Sequence, residues 1–304
     1  MRKESGMTSM DALRRLRALL RVKKSGHSGT LDPSATGVLP VCLGQATRLA
    51  EYYTSQKKRY RAEATFGVVT DTGDGEGTVL GREAPQISQE AARKSLFSFT
   101  GKIKQTPPMF SAVHHKGQRL YDLARRGVVV DRAERETEIY EIKWLEWTPD
   151  RYPRAVFEVA CRHGTYIRSL CSDLGDRLGC GAHMSALCRL EAGPFRLEES
   201  VSLAEISARF AAGDLSFILP LGWGLNLPVL ELPLARVPAF RQGLASALAR
   251  LGASQQPAGA CAVYCEGEFL GVGRVEAGEL RPDKVLRAAG GGEREKNDSR
   301  RETV

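Results

Sequence analysis

The chain has 304 residues, enough for two domains and a sizeable core, and carries 44 Lys/Arg against 36 Asp/Glu for a formal net charge of +8. The excess is local: residues 1–61 hold 13 Lys/Arg against 4 Asp/Glu, which points to a polyanionic partner, most simply a nucleic acid. The seven cysteines form no C-x-x-C pair and are odd in number, so buried reduced thiols are expected rather than a disulfide framework or a zinc site. No signal peptide opens the chain, and its most apolar stretch, Phe217 to Val237, is interrupted by three prolines, Glu231 and Arg236, which excludes a membrane span and leaves a cytoplasmic protein as the expectation.

Thr8 or Ser9 can cap a helix from Met10 to Leu20, with Asp11 in its first turn and Leu13, Leu16 and Leu20 as the buried stripe. Arg14, Arg15, Arg17 and Arg21, followed by Lys23 and Lys24, are then either a solvated helix face or a phosphate-contacting one, and the residues alone leave both readings open. Next comes Gly26-His27-Ser28-Gly29-Thr30-Leu31-Asp32-Pro33-Ser34-Ala35-Thr36-Gly37-Val38-Leu39-Pro40. Pro33 steers Asp32 away from helical geometry, and Gly26, Gly29 and Gly37 permit bends or close backbone approach. A stiff loop of this kind can hold a catalytic carboxylate, although a turn or capping aspartate is the commoner outcome. Val38 to Leu43 reads as a short buried strand with Pro40 at its edge or start.

A helix is expected over Ala46 to Ser55, then a strand over Lys58 to Val69. Tyr60, Ala62, Ala64, Phe66 and Val68 share one face of that strand, opposite Arg59, Arg61, Glu63 and Thr65, so core packing is the usual fate of Tyr60. Asp71 to Gly77 fails the ligand spacing of a calcium loop and reads as a tight turn between strands. Ser88 caps a helix to about Phe99, and Pro107-Pro108 opens a basic surface insertion, with six basic groups and one acid in residues 102–126. Strands follow near Thr137 to Leu145 and Val156 to Cys161, then a helix entered through Gly164-Thr165-Tyr166-Ile167-Arg168. Tyr166 and Arg168 cannot share a helix face unless Tyr166 lies in the entering turn. Leu187-Cys188-Arg189-Leu190 is a further strand, while His163 and His183 read as structural or surface histidines. The proline-rich region near 220–235 suggests a hinge before short strands at Cys261 to Tyr264 and Phe269 to Val275, and the residues from Gly290 on are polar enough to be disordered.

The ordered run from Gly26 to Pro40, continued by Leu43-Gly44-Gln45-Ala46-Thr47-Arg48, resembles the catalytic signature of the TruB family of pseudouridine synthases. The likeness extends through Lys-Arg-Tyr-Arg at 58–61, the insertion at 105–127, Gly164 to Leu170 and the L-x-R-L segment at 187–190, so that it covers residues 3–190 strongly and 230–287 more loosely. It implies an α+β pseudouridine synthase fold, a mixed, mostly antiparallel sheet flanked by helices, with a thumb insertion at 102–130 in a catalytic domain of residues 1–225. A small β-rich PUA-like RNA-binding domain at 226–288 and a disordered tail at 289–304 would follow.

The implied activity is isomerisation of uridine 55 in the T arm of tRNA, without metal or other cofactor, by a monomer needing no protein partner. Asp32 would be the nucleophile, Arg168 its ion-pair partner, and Tyr60 the residue that stacks on the base and moves the C5 proton. Tyr166 and Leu187 would line the uracil pocket, His27 would fill the space left by the flipped-out base, and Lys3 would join the substrate-binding set. Arg168 is expected to outweigh burial and keep the Asp32 pKa low. The guide-RNA-dependent branch of the superfamily, typified by dyskerin, and a non-catalytic tRNA-folding chaperone are the alternatives; the thumb-like insertion disfavours the first and the intact Asp32, Tyr60 and Arg168 set the second. One departure is at the start: Glu4 replaces the family's proline, and Lys3 follows Met1 too closely to leave room for the family's preceding strand, so an upstream segment is expected in the functional enzyme and a sheet edge is expected to be unpaired without it.

Overall fold

A computed structural model describes residues 1–111, 113–115, 117–250 and 258–287. The chain divides into two compact units, Met1–Ile218 and Leu219–Val304, a few residues before the boundary that the prolines suggested. The tail expected from residue 289 onward lies outside the described residues.

The first unit begins with β1 (Arg2–Lys3), α1 (Ser9–Leu20), β2 (Ser25–His27), β3 (Thr36–Val38), β4 (Val41–Leu43), α2 (Ala50–Thr54), β5 (Lys58–Phe66), β6 (Val68–Thr70), β7 (Val79–Arg82), α3 (Gln89–Phe97) and β8 (Gly101–Gln105). It continues through the insertion's β9 (His114–His115), β10 (Gln118–Arg119) and α4 (Leu120–Arg125) to β11 (Arg135–Thr148), β12 (Arg154–Cys161), α5 (Ile167–Arg177), β13 (Ala182–Ala192), β14 (Phe195–Arg196) and α6 (Leu203–Ala211). An eight-stranded sheet runs β1-β3-β13-β5-β12-β11-β8 with β14 beside β13, and all of its pairs are antiparallel except β3 with β13. The fold is α+β, as expected.

Alternation along β5 produces the sheet's two faces. Ala62, Ala64 and Phe66 are buried with Phe157, Val159, Leu170 and Leu174 beneath α3 and α5. On the opposite face Arg59 pairs with Glu141 at 2.7 Å and Arg61 with Glu158 at 2.9 Å. Burial of each Phe or Leu side chain contributes about 1.5–3 kcal/mol, whereas the exposed ion pairs contribute about 0–1 kcal/mol each, so the apolar face holds the sheet together.

Several elements differ from the sequence pattern for identifiable reasons. Pro40 divides the strand expected over Val38 to Leu43: β3 joins the main sheet, whereas β4 pairs with β2. Gly67, at φ +79°, ends β5, and β6 turns off to pair with β7. The helix expected from Ala46 is a 3₁₀ segment, Gly44–Leu49, that passes into the single turn of α2. Lys102 to Gln105 belong to the main sheet as β8, so the insertion begins after Gln105 rather than at 102. The N-terminal edge is not left unpaired: Arg2 and Lys3 are themselves the edge strand, opposite Val38 and Gly37.

Gly37 is placed where no side chain fits. Its φ is +114°, and a Cβ there would lie 2.3 Å from the carbonyl oxygen of Arg189 on β13. Gly37→Ala is expected to destabilise the unit by about 2 kcal/mol or more, read as a lower midpoint in urea unfolding; an unchanged midpoint would contradict the close β3–β13 contact.

The second unit holds β15 (Val229–Glu231), α7 (Val237–Arg241), β16 (Ser246–Ala247), β17 (Gly259–Cys265), β18 (Glu268–Glu276) and β19 (Glu279–Val285). Its sheet runs β15-β17-β18-β19-β16 around Leu230, Phe240, Val263 and Leu270. It is a small β-rich domain, with longer strands than the apolar runs alone delimited. The seven cysteines are free thiols. Among the described residues, no helix is long and apolar enough to cross a membrane.

Candidate active site

Asp32 sits on a loop restrained from several sides. The Ala35 amide donates to Asp32 O at 3.1 Å, closing a turn with Pro33 at its second position, where a fixed φ is favoured. Ser9, at the start of α1, donates its hydroxyl to Leu31 O at 3.0 Å and accepts from Leu31 N at 2.8 Å. Thr8 caps α1 reciprocally with Asp11, which fixes the helix end that carries Ser9. Further back, the Ser28 amide donates to Pro40 O at 3.1 Å.

Two buried cations complete the clamp. Lys3, 0% exposed, donates to the carbonyls of Glu4, Met7 and Pro33 at 2.8–3.0 Å. Those three bonds use all of its donors, so its placement in the substrate-binding set is corrected: Lys3 holds the Asp32 loop from beneath. Arg189, 1% exposed, donates to Val38 O at 2.8 Å, Gly29 O at 3.1 Å and Thr30 O at 3.5 Å. The sequence reading passed over Arg189, although Leu187 and Arg189 share the face of β13 that pairs with Ala62 and Tyr60. A basic residue on the buried parity of a strand was the available signal.

Arg168, the second residue of α5, brings the catalytic candidates together. Its Nε lies 3.1 Å from Asp32 Oδ2 and its Nη2 donates to Asp32 Oδ1 at 3.2 Å, a two-point grip between a side chain 6% exposed and a carboxylate 29% exposed. Nη1 donates to Thr72 O at 3.1 Å and Nη2 to Phe110 O at 2.6 Å. Nη1 also lies 3.7 Å from Asp74 Oδ2. Asp74 is a buried carboxylate that the sequence reading absorbed into a turn. The turn between β6 and β7 is there, but it is also pinned to β13 through Met184 N to Gly73 O and Gly75 N to Met184 O, both 3.0 Å. Asp74 is held in turn by the Thr72 hydroxyl at 2.6 Å.

Arg168 does not win the contest for the Asp32 proton. Burial pushes the carboxyl above its ordinary value, Asp74 pushes the same way, and Arg168 and Lys3 offset only part of this. Burial also pulls the Lys3 ammonium down to about 8, against the opposing pull of Asp32 and Glu76. The Tyr60 phenol is pushed up by burial, against the Arg189 charge beside it, so it stays neutral. His27, half-buried at the end of β2, is pushed down by burial and by Arg189, which keeps its ring uncharged; its Nδ1 is buried without a hydrogen-bond partner.

Tyr166 occupies the entering turn that the spacing required: it precedes α5 in an extended conformation, φ −98° and ψ 110°. Tyr60, Leu187 and Tyr166 are each half-buried, and the first two pack at the edge of the core under α5. Among the described residues, no group of three or more His, Cys, Asp or Glu side chains is placed to hold a metal ion.

Residues 17–167 match the profile of the TruB family pseudouridylate synthase N-terminal domain, and residues 168–221 that of the tRNA pseudouridylate synthase B C-terminal domain. The tRNA pseudouridine synthase B of Gloeobacter violaceus is 44% identical over 296 residues, spanning 93% of this chain and 96% of that protein. The chain belongs to the TruB family. The Thiobacillus denitrificans tRNA pseudouridine synthase B is 41% identical over 287 residues, with 93% of each chain covered. Among solved structures, a chain of a Cbf5–Nop10–Gar1 complex superposes with a TM-score of 0.72 at 26% identity, over 93% of this chain and 83% of its own. An H/ACA RNP bound to a substrate RNA containing 2′-deoxyuridine gives 0.72 at 24% identity, over 94% and 84%, which bears on the fold. As a TruB family member the protein is a pseudouridine synthase, and its sheet is the pseudouridine synthase fold.

Proposed function

We propose that the protein isomerises uridine to pseudouridine at position 55 in the T arm of tRNA, with Asp32 as the nucleophile and no cofactor. The observation that carries this reading is the carboxylate of Asp32, partly exposed in an immobilised loop and gripped at two points by a buried arginine. The N1–C1′ bond must break, the uracil must turn, and a C5–C1′ bond must form. The proton lost from C5 is balanced by one gained at N1, so the product is an isomer and no redox partner is needed.

In this reading Asp32 supplies the negative charge that the sugar requires as the N1–C1′ bond breaks. Arg168 orients it, and Asp74 keeps the guanidinium in register. Tyr60 stacks on the detached uracil; a neutral phenol suits stacking and proton relay better than it suits a free-base role. Tyr166 and Leu187 border the base. The target must leave its stack, at a cost of a few kcal/mol, and the uncharged ring of His27 can occupy the vacated place. The basic face of α1 and the insertion fit the phosphate backbone, and the β-rich second unit serves as a PUA-like RNA-binding module. The protein acts in the cytoplasm as a monomer.

The test is incubation of the purified chain alone with an unmodified T-arm hairpin, followed by mapping of pseudouridine by carbodiimide-dependent primer-extension stops. A single stop at the position equivalent to 55 is expected. Conversion that requires an added guide RNA, or that falls at another uridine, would overturn the reading.

A further inference from the structure

Arg168 can grip Asp32 only if the first turn of α5 is fixed, yet that turn has no side-chain cap of its own. The residue before the helix is Tyr166, whose side chain caps nothing, and the first amides of a helix have no partners within it. The missing partner comes from the sheet edge. Gln105, the last residue of β8 and 3% exposed, accepts from Tyr166 N through Oε1 at 3.0 Å and donates through Nε2 to Tyr166 O at 3.1 Å. Its amide thus meets both main-chain groups of one residue, as a neighbouring strand would.

Two residues in the turn after Tyr166 are tied to the same segment. Ser169 donates its hydroxyl to Thr106 O at 3.1 Å, and Arg168 Nη2 donates to Phe110 O at 2.6 Å. Gln105 is itself anchored by pairing with Arg135 on β11. The root of the insertion is therefore laced to the turn that carries Tyr166 and Arg168; Gln105 reaches that turn from β8, and the Thr137 hydroxyl reaches the neighbouring Thr165 from β11 at 2.6 Å.

We propose that Gln105 is a positioning residue for pseudouridine formation: its amide holds the Tyr166–Arg168 turn so that the guanidinium meets Asp32 at two points. This rests on the reading of Asp32 and Arg168 given above. Gln105 touches neither RNA nor the reacting atoms in this role; it acts through Arg168. Without it the turn keeps the Thr137–Thr165 hydroxyl contact at 2.6 Å but loses both main-chain anchors at Tyr166, and a displacement of about 1 Å in a positioned group can cost on the order of 100-fold in rate.

Gln105→Met keeps the length and volume of the side chain and removes both hydrogen bonds. Gln105→Glu keeps the acceptor for Tyr166 N but sets a carboxylate against Tyr166 O. Both are made in the full chain and assayed with the T-arm hairpin under single-turnover conditions at saturating enzyme, alongside RNA affinity, melting temperature and the pH profile of the rate. For Gln105→Met the rate should fall about 10- to 100-fold with RNA affinity within about threefold of wild type. Its acid limb should also move to higher pH. Asp32 faces Arg168, Asp74 and Lys3, and loosening Arg168 removes the largest of the charges that favour the ionised carboxylate. Gln105→Glu should lose at least as much, because its buried carboxylate is repelled by Tyr166 O where the amide donated.

A purely structural role would lower the melting temperature and leave the acid limb where it is. A wild-type rate and acid limb in Gln105→Met, or a loss confined to RNA affinity, would overturn the proposal. If Gln105→Met is unfolded at the assay temperature, Gln105→Glu decides: a wild-type rate and acid limb there overturn it equally. A wild-type protein that makes no pseudouridine, or an Asp32→Asn protein that makes it normally, would instead overturn the underlying reading.

Discussion

Asp32→Asn is expected to abolish pseudouridine formation while leaving RNA affinity within about tenfold of wild type, because phosphate contacts dominate binding and a carboxylate is repelled by phosphate rather than bound to it. Asparagine keeps the shape and one acceptor oxygen. It removes the charge and turns an amide NH₂ towards the donors of Arg168, which now grip two acceptors. Turnover above roughly a few per cent of wild type would end the assignment of Asp32 as nucleophile. The pH profile supplies an independent check. Activity requires the carboxylate, and the Asp32 pKa is raised, first by burial and then by Asp74. The acid limb should therefore lie above the ordinary aspartate value of about 4. Stability moves the other way. A carboxyl whose folded pKa exceeds its unfolded one binds protons preferentially in the fold, so this group adds stability as pH falls through the raised value. Activity should disappear on acidification before the protein unfolds, and an acid limb coincident with unfolding would contradict the assignment.

Local features were legible where local physics decides them. The cap and stripe of α1, the alternation of β5 and the position of Tyr166 in an entering turn follow from side-chain period and capping chemistry, and the structure has them. The pairing of Asp32 with Arg168, 136 positions apart, came from the family resemblance and not from any spacing. Asp74 was missed because its role exists only once the β6–β7 turn is docked on β13, a contact between segments that carry no sign of each other in the sequence. Gln105 was missed for a related reason: a glutamine at a strand end is unremarkable until a helix start is brought to it by the sheet. Boundaries failed at single residues with strong backbone preferences. Pro40 split one expected strand between two sheets, and Gly67 redirected another. Lys3 shows the opposite error, a residue assigned by resemblance to substrate whose ammonium is wholly occupied by carbonyls. The direction of the Asp32 pKa was also misjudged: burial outweighs Arg168, and Asp74, which shares the arginine, adds to burial.

Arg189→Met should separate the architecture of the site from its chemistry. Arg189 sets a guanidinium in a buried position, 1% exposed. Its hydrogen bonds to Gly29 O, Thr30 O and Val38 O bind both arms of the Asp32 loop to β13. Two effects oppose each other in the substitution. Removing the charge relieves a desolvation cost of several kcal/mol, and it unburdens Lys58, whose ammonium is pulled down to about 8 by burial and by Arg189. Against this, three carbonyls lose charged donors, each such bond contributing about 1.5–3 kcal/mol. The terms are similar in size, so the net loss of stability should be modest, about 1–3 kcal/mol, and methionine fills most of the vacated volume. Catalysis has no such compensation. The loop carbonyls on the near side of Asp32 are left without an anchor, and the carboxylate loses its fixed approach to the sugar. The expected result is a folded protein that binds the hairpin with near-normal affinity but reacts on the order of 100-fold more slowly or worse. Arg189→Lys should not restore the rate, since a single ammonium cannot span the positions that the planar fork reaches. A folded Arg189→Met protein with a wild-type single-turnover rate would show that Ser9, Lys3 and Pro33 hold the loop without help from β13.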